Sequence, residues 1–173
     1  MTHNIRFLGL ASMAMVSMFF FNACKKNKEA AGTDKELYDM SRETSGFVWY
    51  KKTDALLNKS SGSGHPQAFF KTRYNSIAAA SLDSNGQIQS GASFAEGSLI
   101  VKELFSDNVT LARYAILYKK SNSADADAKG WVWGYVNADG TVAEAASKKG
   151  KSCIGCHSQA GNEDYMLMSK YFP

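Results

Sequence analysis

GWVWGYVNADGTV, residues 130–142, is the stretch of this 173-residue chain that decides its fold class. Its first seven residues are mostly aromatic or β-branched, and such side chains favour strands. Residues 137–140, NADG, have the composition of a tight turn, and Thr141 and Val142 can begin a returning strand. The stretch therefore predicts a β-hairpin.

Two apolar segments before this hairpin, residues 98–105 and 111–120, also predict strands. Consecutive strands joined by short turns normally pair antiparallel. After the hairpin, residues 143–157 are predicted to be helical, and Asn162-Glu163-Asp164 could cap one last turn through Lys170. We therefore expect an α+β fold: a mainly antiparallel β-sheet meander with flanking helices and a C-terminal helical segment.

Helical patterns are also predicted on the N-terminal side of the sheet. Residues 33–36, TDKE, have the form of a capping box, and Leu37 and Met40 supply an apolar face. A second helix is predicted over residues 48–57. Residues 68–79 fit either a helix or a strand.

The predicted C-terminal helical segment ends in CIGCH, residues 153–157, which has the C-x-x-C-H spacing that attaches c-type haem. Two thiols at this spacing can reach the two vinyl groups of one porphyrin, and the adjacent imidazole can then ligate the iron. The motif predicts one covalently attached haem c on Cys153 and Cys156, with His157 as the iron ligand.

Three other chemistries could use two cysteines at this spacing. A zinc site needs a fourth ligand, and the chain has no second C-x-x-C and no paired histidines. A thioredoxin-like redox pair needs its first cysteine at a helix start after a buried strand, whereas residues 148–152, KKGKS, precede Cys153. A disulfide between Cys153 and Cys156 would close very little chain. The spacing favours haem over all three.

The N-terminus has the composition of a bacterial export signal. Residues 5–21 are almost continuously apolar, and Lys25 and Lys26 follow soon after them. The apolar run is shorter than the ~20 residues that a membrane-spanning helix needs. Export agrees with the haem motif, because haem attachment of this kind takes place outside the bacterial cytoplasm.

Ala23-Cys24 resembles the cleavage box of bacterial lipoproteins, with Phe21 where Leu is usual. If Cys24 carried lipid and the motif carried haem, none of the three cysteines would be left to mispair in an oxidising compartment. Ordinary signal cleavage would instead leave Cys24 as a free thiol. We expect a lipoprotein-type signal peptide at residues 1–23, a tether at residues 24–32 and one haem domain at residues 33–173.

Lipidation of Cys24 would place the domain in the cell envelope, on the periplasmic side. Lys25 is not the acidic residue that retains some lipoproteins at the inner membrane, which favours the outer membrane. Arg6 is the only charged residue of the predicted signal, so residues 24–173 carry 19 basic and 16 acidic side chains. This small excess does not predict nucleic-acid binding. The lysine pairs are expected to be solvated element ends: Lys51-Lys52, Lys119-Lys120 and Lys148-Lys149.

Few residues could ligate the second axial position of the iron: Met40, Met166, Met168 and His65. Met166 and Met168 follow the motif closely and are expected to point into the core. His65 lies in a Gly- and Ser-rich loop and is expected to be solvated. We therefore expect a five-coordinate iron with an open distal face, which indicates small-molecule chemistry rather than electron relay alone.

Several segments resemble landmarks of the cytochrome P-460 and cytochrome c′-beta family. FAEGSLIVKE, residues 94–103, is similar to the family's F-P-[DE]-G-[ST]-x-I-V-K-E strand entry, with Ala95 in place of the usual Pro. Other segments resemble family landmarks in the same order: His65-Pro66, Arg73-Tyr74-Asn75, residues 130–134, Cys156-His157 and Asp164-Tyr165. The resemblance covers about residues 65–165 and implies a mainly antiparallel β fold, commonly a homodimer, with one c-type haem and an open distal site.

The resemblance also implies two possible activities. Cytochromes P-460 carry a lysine that is cross-linked to the porphyrin edge, and they oxidise hydroxylamine. The c′-beta members lack this link and bind nitric oxide beneath a hydrophobic, Phe-rich cap. The family pattern places the linking lysine a few residues after Asn75, where this chain has residues 78–80, AAA. The nearest lysines on either side are Lys71 and Lys102.

We therefore expect an envelope-tethered mono-haem cytochrome that binds nitric oxide or a similar small nitrogenous or diatomic ligand. Six aromatic residues lie in segments that could face the haem: Phe69, Phe70, Tyr74, Trp131, Trp133 and Tyr135. Two alternatives stay open. An enzyme that oxidises hydroxylamine or reduces peroxide needs a distal acid or base, and an electron carrier needs a sixth ligand. The candidate acids, by residue type, are Glu96, Glu103 and Asp107; the sequence identifies no catalytic residue and no redox partner.

Overall fold

The structure is a computed structural model that describes Met1 and residues 28–166. Residues 2–23 of the predicted signal, the predicted lipidation residue Cys24, and Met168 and Lys170 lie outside the described residues. The elements are α1 (Thr33–Arg42), β1 (Val48–Trp49), β2 (Leu57–Asn58), β3 (Phe69–Tyr74), α2 (Ser76–Ala79), β4 (Leu99–Phe105), β5 (Leu111–Lys119), β6 (Trp131–Asn137), β7 (Val142–Glu144) and α3 (Ile154–His157). Two 3-10 turns, Tyr50–Lys52 and Ala146–Lys148, lie between them.

The strands form one antiparallel sheet, in which β3 to β7 lie side by side in chain order. β1 and β2 pair one after the other along the remaining edge of β3. The sheet confirms the predicted α+β class and the antiparallel meander. The three long strands predicted from aromatic and β-branched content are β4, β5 and β6.

The sheet has two faces, because successive side chains of a strand point to opposite sides. On one side, which we call the helix face, Leu37 of α1 packs with a row of aliphatic residues: Val101, Ile116, Val132 and Val136. On the other side, which we call the cavity face, Tyr74, Ile100, Leu117 and Trp133 cluster with Cys153 and Ile154. The two faces therefore belong to two separate hydrophobic cores.

Gly134 in the middle of β6 lets α1 approach the sheet closely. A Cβ atom at this position would lie 2.9 Å from the Leu37 Cδ1 atom and 3.2 Å from the Ile116 Cβ atom. A larger residue would force the end of the Leu37 side chain to shift. The glycine that interrupts the aromatic run of residues 131–135 thus leaves room for Leu37.

Arg73 of β3 ties the end of α1 to the helix face. Its side chain is fully buried and pairs with Glu103 of β4. The same guanidinium donates hydrogen bonds to the carbonyl oxygens of Ser41 and Glu43 at the C-terminus of α1. A cation at this end of a helix is favoured because it satisfies carbonyls that have no partner within the helix.

The helix predicted over residues 48–57 is wrong. Val48 and Trp49 instead pair with Tyr74 and Arg73 of β3, and Lys51 and Lys52 follow with φ angles of 52° and 55°. Two consecutive left-handed residues end any regular element. Residues 68–79, which fitted either state, form β3 followed by the short helix α2.

The helical segment predicted over residues 143–157 is only partly correct. Its start is strand β7, which pairs with β6, and Lys149 and Gly150 have positive φ angles that separate the 3-10 turn from α3. The predicted cap at residues 162–164 does not open a helix within the described residues. Asp164 and Tyr165 have positive φ angles, and Glu163 forms a β-bridge with Met166.

α1 confirms the predicted first helix, but the predicted capping box is wrong. Thr33 is already helical, and Gly32 occupies the N-cap position, where no side chain of the described residues caps the helix. Glu36 pairs with Lys120, and Asp34 accepts a hydrogen bond from the Ala146 backbone at 2.8 Å. The acids in the first turn of α1 therefore link it to the rest of the fold.

The last residues of the predicted tether lie against the sheet. Glu29 forms a β-bridge with Thr141, and the Ala30 amide donates to the Gly140 carbonyl. Within the described part of the chain, no helix has the length and apolar character needed to cross a membrane.

Candidate haem-binding site

The C-x-x-C-H motif is presented by a tight turn that rests on Trp133. Gly150 has a φ angle of 67°, and a Cβ atom there would lie 2.6 Å from atoms of the Trp133 indole. The Gly150 carbonyl accepts hydrogen bonds from the amides of Cys153 and Ile154. Only glycine combines this backbone conformation with so close an approach to the ring. The turn therefore fixes the motif against the cavity face of β6.

The His157 imidazole is held in one orientation. Its Nδ1–H group donates a hydrogen bond to the Tyr165 carbonyl oxygen at 2.7 Å, and its ring lies edge-on to Trp133 with centroids 5.1 Å apart. Because Nδ1 carries the proton, Nε2 keeps its lone pair and can ligate a metal. Burial lowers the pKa of His157 to about 4, with a smaller lowering from Lys102 and an opposing contribution from the Tyr165 hydrogen bond. The imidazole is therefore neutral at pH 7.

The Tyr165 carbonyl is positioned by its neighbour Asp164. The Asp164 carboxylate accepts hydrogen bonds from the Trp131 indole at 3.0 Å, from the Phe94 amide at 3.1 Å and from the Lys119 ammonium at 3.1 Å. Lys119 is half-buried and paired, so the prediction of a solvated lysine is wrong at this position.

A cavity of about 370 Å³ lies between α3 and the cavity face of the sheet. The three motif side chains, Cys153, Cys156 and His157, all line it. The opposite wall consists of two cross-strand rows, each made of directly paired residues of β3, β4, β5 and β6. The inner row is Tyr74, Ile100, Leu117 and Trp133, and the outer row is Thr72, Lys102, Ala115 and Tyr135.

His65 also lines this cavity, so the prediction of a solvated loop histidine is wrong. Its Nδ1 atom lies 3.2 Å from the Tyr135 hydroxyl oxygen, and the two rings are 5.7 Å apart. Burial lowers the pKa of His65 to about 3, with smaller contributions from Lys102, His157, Arg113 and Lys59. The loop of residues 60–66 folds over the sheet because His65 binds Tyr135.

The acids proposed by residue type do not reach the cavity. Glu96 is exposed and binds Ser121, Glu103 pairs with Arg73 on the helix face, and Asp107 caps an exposed turn. Glu144, which the sequence did not single out, lines the cavity and accepts a hydrogen bond from Ser152. None of the three predicted candidates is placed to act on a ligand.

The other predicted residues divide between the two faces. Met166 is buried and lines the cavity, as expected for a core residue, whereas Met40 packs on the helix face. Of the six aromatic candidates, three line the cavity: Tyr74, Trp133 and Tyr135. Lys71 points to the helix face, where its ammonium lies over the rings of Trp49 and Phe105, while Lys102 lines the cavity.

The residues around the cavity fit a haem. The two thiols and the one neutral imidazole of the motif share a wall, and the imidazole offers Nε2 as its free ligand atom. Burial raises the pKa of the Cys153 thiol. Aliphatic and aromatic side chains of the inner row supply an apolar surface for a flat macrocycle, and Arg113 supplies positive charge for its carboxylates. Cys153 and Cys156 would hold the porphyrin, and His157 would ligate the iron.

An antiparallel sheet with a C-x-x-C-H motif beside an apolar cavity defines the class of haem-binding cytochromes. The chain belongs to the cytochrome P460 family, whose model matches residues 48–168. The match confirms the predicted resemblance to the cytochrome P-460 family, and membership of this family implies a haem cofactor. Neither the comparison with curated proteins nor the comparison with solved structures gives a match.

The sequence analysis did not identify Thr72 or Lys102 as cavity residues, and it did not pair Tyr135 with His65. For Lys102 a signal was present in the sequence, because Ile100 and Lys102 are two residues apart on a strand and must share a face. The pairing that aligns Thr72, Lys102, Ala115 and Tyr135 across four strands depends on register, which the sequence does not give.

Proposed function

We propose that this chain is a mono-haem c-type cytochrome that binds nitric oxide or a similar small nitrogenous or diatomic ligand. The observation that carries the proposal is that one cavity gathers both motif thiols and an imidazole whose Nδ1–H is already committed to Tyr165. A haem bound there supplies an iron whose second axial position can take a small ligand.

The nitric-oxide assignment is supported by the lysine pattern. α2 and its C-cap occupy the stretch where the family pattern places the linking lysine, and that stretch is Ser76-Ile77-Ala78-Ala79-Ala80. Lys71 lies on the helix face, away from the cavity. Lys102 is the lysine that lines the cavity within the described residues, so it is the one a test for a porphyrin cross-link must examine.

A second candidate function is hydroxylamine oxidation, which is favoured by a different observation. His65, Tyr135 and Lys102 line the cavity and can each donate or accept a proton in a suitable ionisation state. An oxidising enzyme requires such groups beside its substrate, whereas binding of an uncharged diatomic ligand does not.

A visible spectrum, a titration with nitric oxide and an assay of hydroxylamine turnover separate these functions. For the proposed function we expect a high-spin ferric spectrum, binding of nitric oxide to the reduced protein, and haem that stays attached under denaturing conditions. Sustained hydroxylamine turnover, or a proteolytic haem peptide that contains Lys102, would instead establish the enzyme. A low-spin spectrum with a sulfur-to-iron band would identify an electron carrier with methionine ligation.

We also propose that Cys24 is lipidated and anchors the protein to the periplasmic side of the envelope, at the outer membrane, and that the protein is a homodimer. Support for the anchor is the apolar run of residues 5–21 and the Ala23-Cys24 pair. Two or three acyl chains would anchor the domain stably, whereas one chain alone would not. Mass spectrometry of the mature N-terminus tests the lipid, and an unmodified Cys24 would refute it; sedimentation of the holoprotein tests the dimer.

A further inference from the structure

The outer row of the cavity wall is polar, although the c′-beta resemblance implies a hydrophobic cap. Its four members, Thr72, Lys102, Ala115 and Tyr135, are directly paired across β3 to β6 and all line the cavity. The side chains on either side of Ala115 are those of Lys102 and Tyr135. Because alanine is short, this row has open space between the strand positions of Lys102 and Tyr135.

Thr72 supplies an unsatisfied hydroxyl at one end of this row. Its residue is 3% exposed, and its Oγ1 atom has no hydrogen-bond partner among the described residues. A buried hydroxyl without a partner is costly, and most such groups are satisfied by a protein group, a water or a ligand. Since Thr72 lines the cavity, a ligand in the cavity can provide the missing acceptor.

Lys102, which is half-buried, supplies a positive charge directly opposite Thr72. Its ammonium lies 4.4 Å from the centre of the Phe70 ring, and burial lowers its pKa to about 8. The group is therefore still mostly protonated at pH 7. A charged donor such as this ammonium forms stronger hydrogen bonds to an anion than to a neutral acceptor.

The remaining charged groups of the wall add to the positive potential. Arg113 lines the cavity, and its guanidinium lies 4.5 Å from the centre of the Tyr135 ring while its Nε–H donates to Asn137. His65 contacts Tyr135 but adds no charge at pH 7, because its pKa is about 3. Among the cavity-lining residues that the structure describes, Glu144 is the one carboxylate, against two cationic side chains.

We infer that the outer row is a binding site for a small oxyanion, in which the Lys102 ammonium and the Thr72 hydroxyl donate hydrogen bonds and Ala115 provides the space. The inference rests on the proposed function, because it concerns the same cavity, and it names the ligand class as an oxyanion of nitrogen. The Tyr135–His65 pair closes the far side of the site. Uncharged diatomic ligands would gain little from these donors.

The test is equilibrium binding of nitrite to the ferric holoprotein and of nitric oxide to the ferrous holoprotein, both followed by visible absorption. We expect Lys102→Met to weaken nitrite binding by about tenfold or more, the scale of one charge-assisted hydrogen bond. Thr72→Val should weaken nitrite binding by a few-fold. Thr72→Ser keeps the hydroxyl and should therefore bind nitrite as the wild type does. Lys71→Met, on the helix face of the neighbouring strand, is the matched control and should leave nitrite affinity unchanged.

Nitric oxide affinity distinguishes an anion site from a structural role. If Lys102→Met weakens nitrite and nitric oxide binding equally, or leaves nitrite binding unchanged, the inference is overturned. A shift in the haem midpoint potential without a change in nitrite affinity would show that Lys102 serves a carboxylate of the haem instead, which also overturns it. Failure of the proposed function is recognised separately in the wild-type protein, which would then either be low-spin and bind neither ligand or turn over hydroxylamine.

Discussion

The two faces of the sheet contrast in how they are closed. On the helix face, α1 covers the strands so closely that a Cβ atom at Gly134 would press on the Leu37 side chain. On the cavity face, α3 touches the sheet through Trp133, and a cavity of about 370 Å³ remains between the motif and the outer row. One face of the sheet is thus completed by the chain itself, and the other is shaped to be completed by a cofactor.

The difference also extends to the buried charges. Arg73 on the helix face is paired with Glu103 and with backbone carbonyls of α1. Lys102, one residue before Glu103, points to the other side and lines the cavity. Neighbouring residues of β4 therefore serve different ends: Glu103 stabilises the fold, and Lys102 gives the cavity its positive charge. The comparison predicts that substitutions on the two faces have different measurable consequences.

The largest expected effect is on the cavity face. Replacing both Cys153 and Cys156 with Ser should abolish covalent haem retention, because each thioether would hold one side of the ring. Covalent haem retention is measured by haem staining after denaturing electrophoresis and by the intact mass of the denatured protein. His157→Ala is the matched variant, since it should leave haem attached and change its spin state. Haem that stays bound through denaturation in the double variant would reject the motif assignment.

On the helix face, Glu103→Gln should lower the free energy of unfolding by about 3 kcal/mol, because it leaves the buried Arg73 charge without its partner. Urea unfolding followed by circular dichroism measures the change. The haem spectrum in the absence of urea should be that of the wild type. A double variant with Arg73→Met and Glu103→Leu should recover part of the loss; a loss below about 1 kcal/mol in Glu103→Gln would contradict a buried pair.

A smaller loss, about 2–3 kcal/mol, is expected for Leu37→Ala, which removes the side chain that α1 inserts into the helix face. Leu37 is 1% exposed and contacts the site of Gly134. The same urea experiment measures it, with Val109→Ala as the control because Val109 is 79% exposed. Equal stability of the two variants would show that α1 is not part of the core.

The smallest change, when stated per pH unit, is a pH dependence from the cavity face. The folded-state pKa of His65, about 3, lies below its ordinary value of 6.5. Between these values the unfolded chain binds one more proton than the folded chain, so stability falls as pH falls from about 6.5 toward 3. His65→Gln should reduce the slope of unfolding free energy against pH by up to about 1.4 kcal/mol per pH unit in this window. An unchanged slope would place His65 in solvent.

Local composition was enough to predict part of the fold. β4, β5 and β6 are dense in aromatic and β-branched residues, and the C-x-x-C-H spacing marks its own site, so both could be predicted from sequence. The structure of the segment after Val48 could not be predicted from sequence. Nothing in Lys51-Lys52 indicates a left-handed backbone, and the pairing of Val48 and Trp49 with β3 overrides their local propensity. His65 looked solvated because its loop is rich in Gly and Ser. Its place in the cavity depends on Tyr135, 70 residues away.

The hydrogen bonds of Asp164 connect the axial imidazole to the stability of the whole sheet. Its partners come from β5, β6 and the segment before β4, so the carbonyl that orients His157 belongs to the same cooperative unit as those strands. Sub-global opening of β5 and β6 would release that carbonyl and with it the ring. A change in the absorption spectrum of the bound haem would then report the opening of these strands at positions far from the iron.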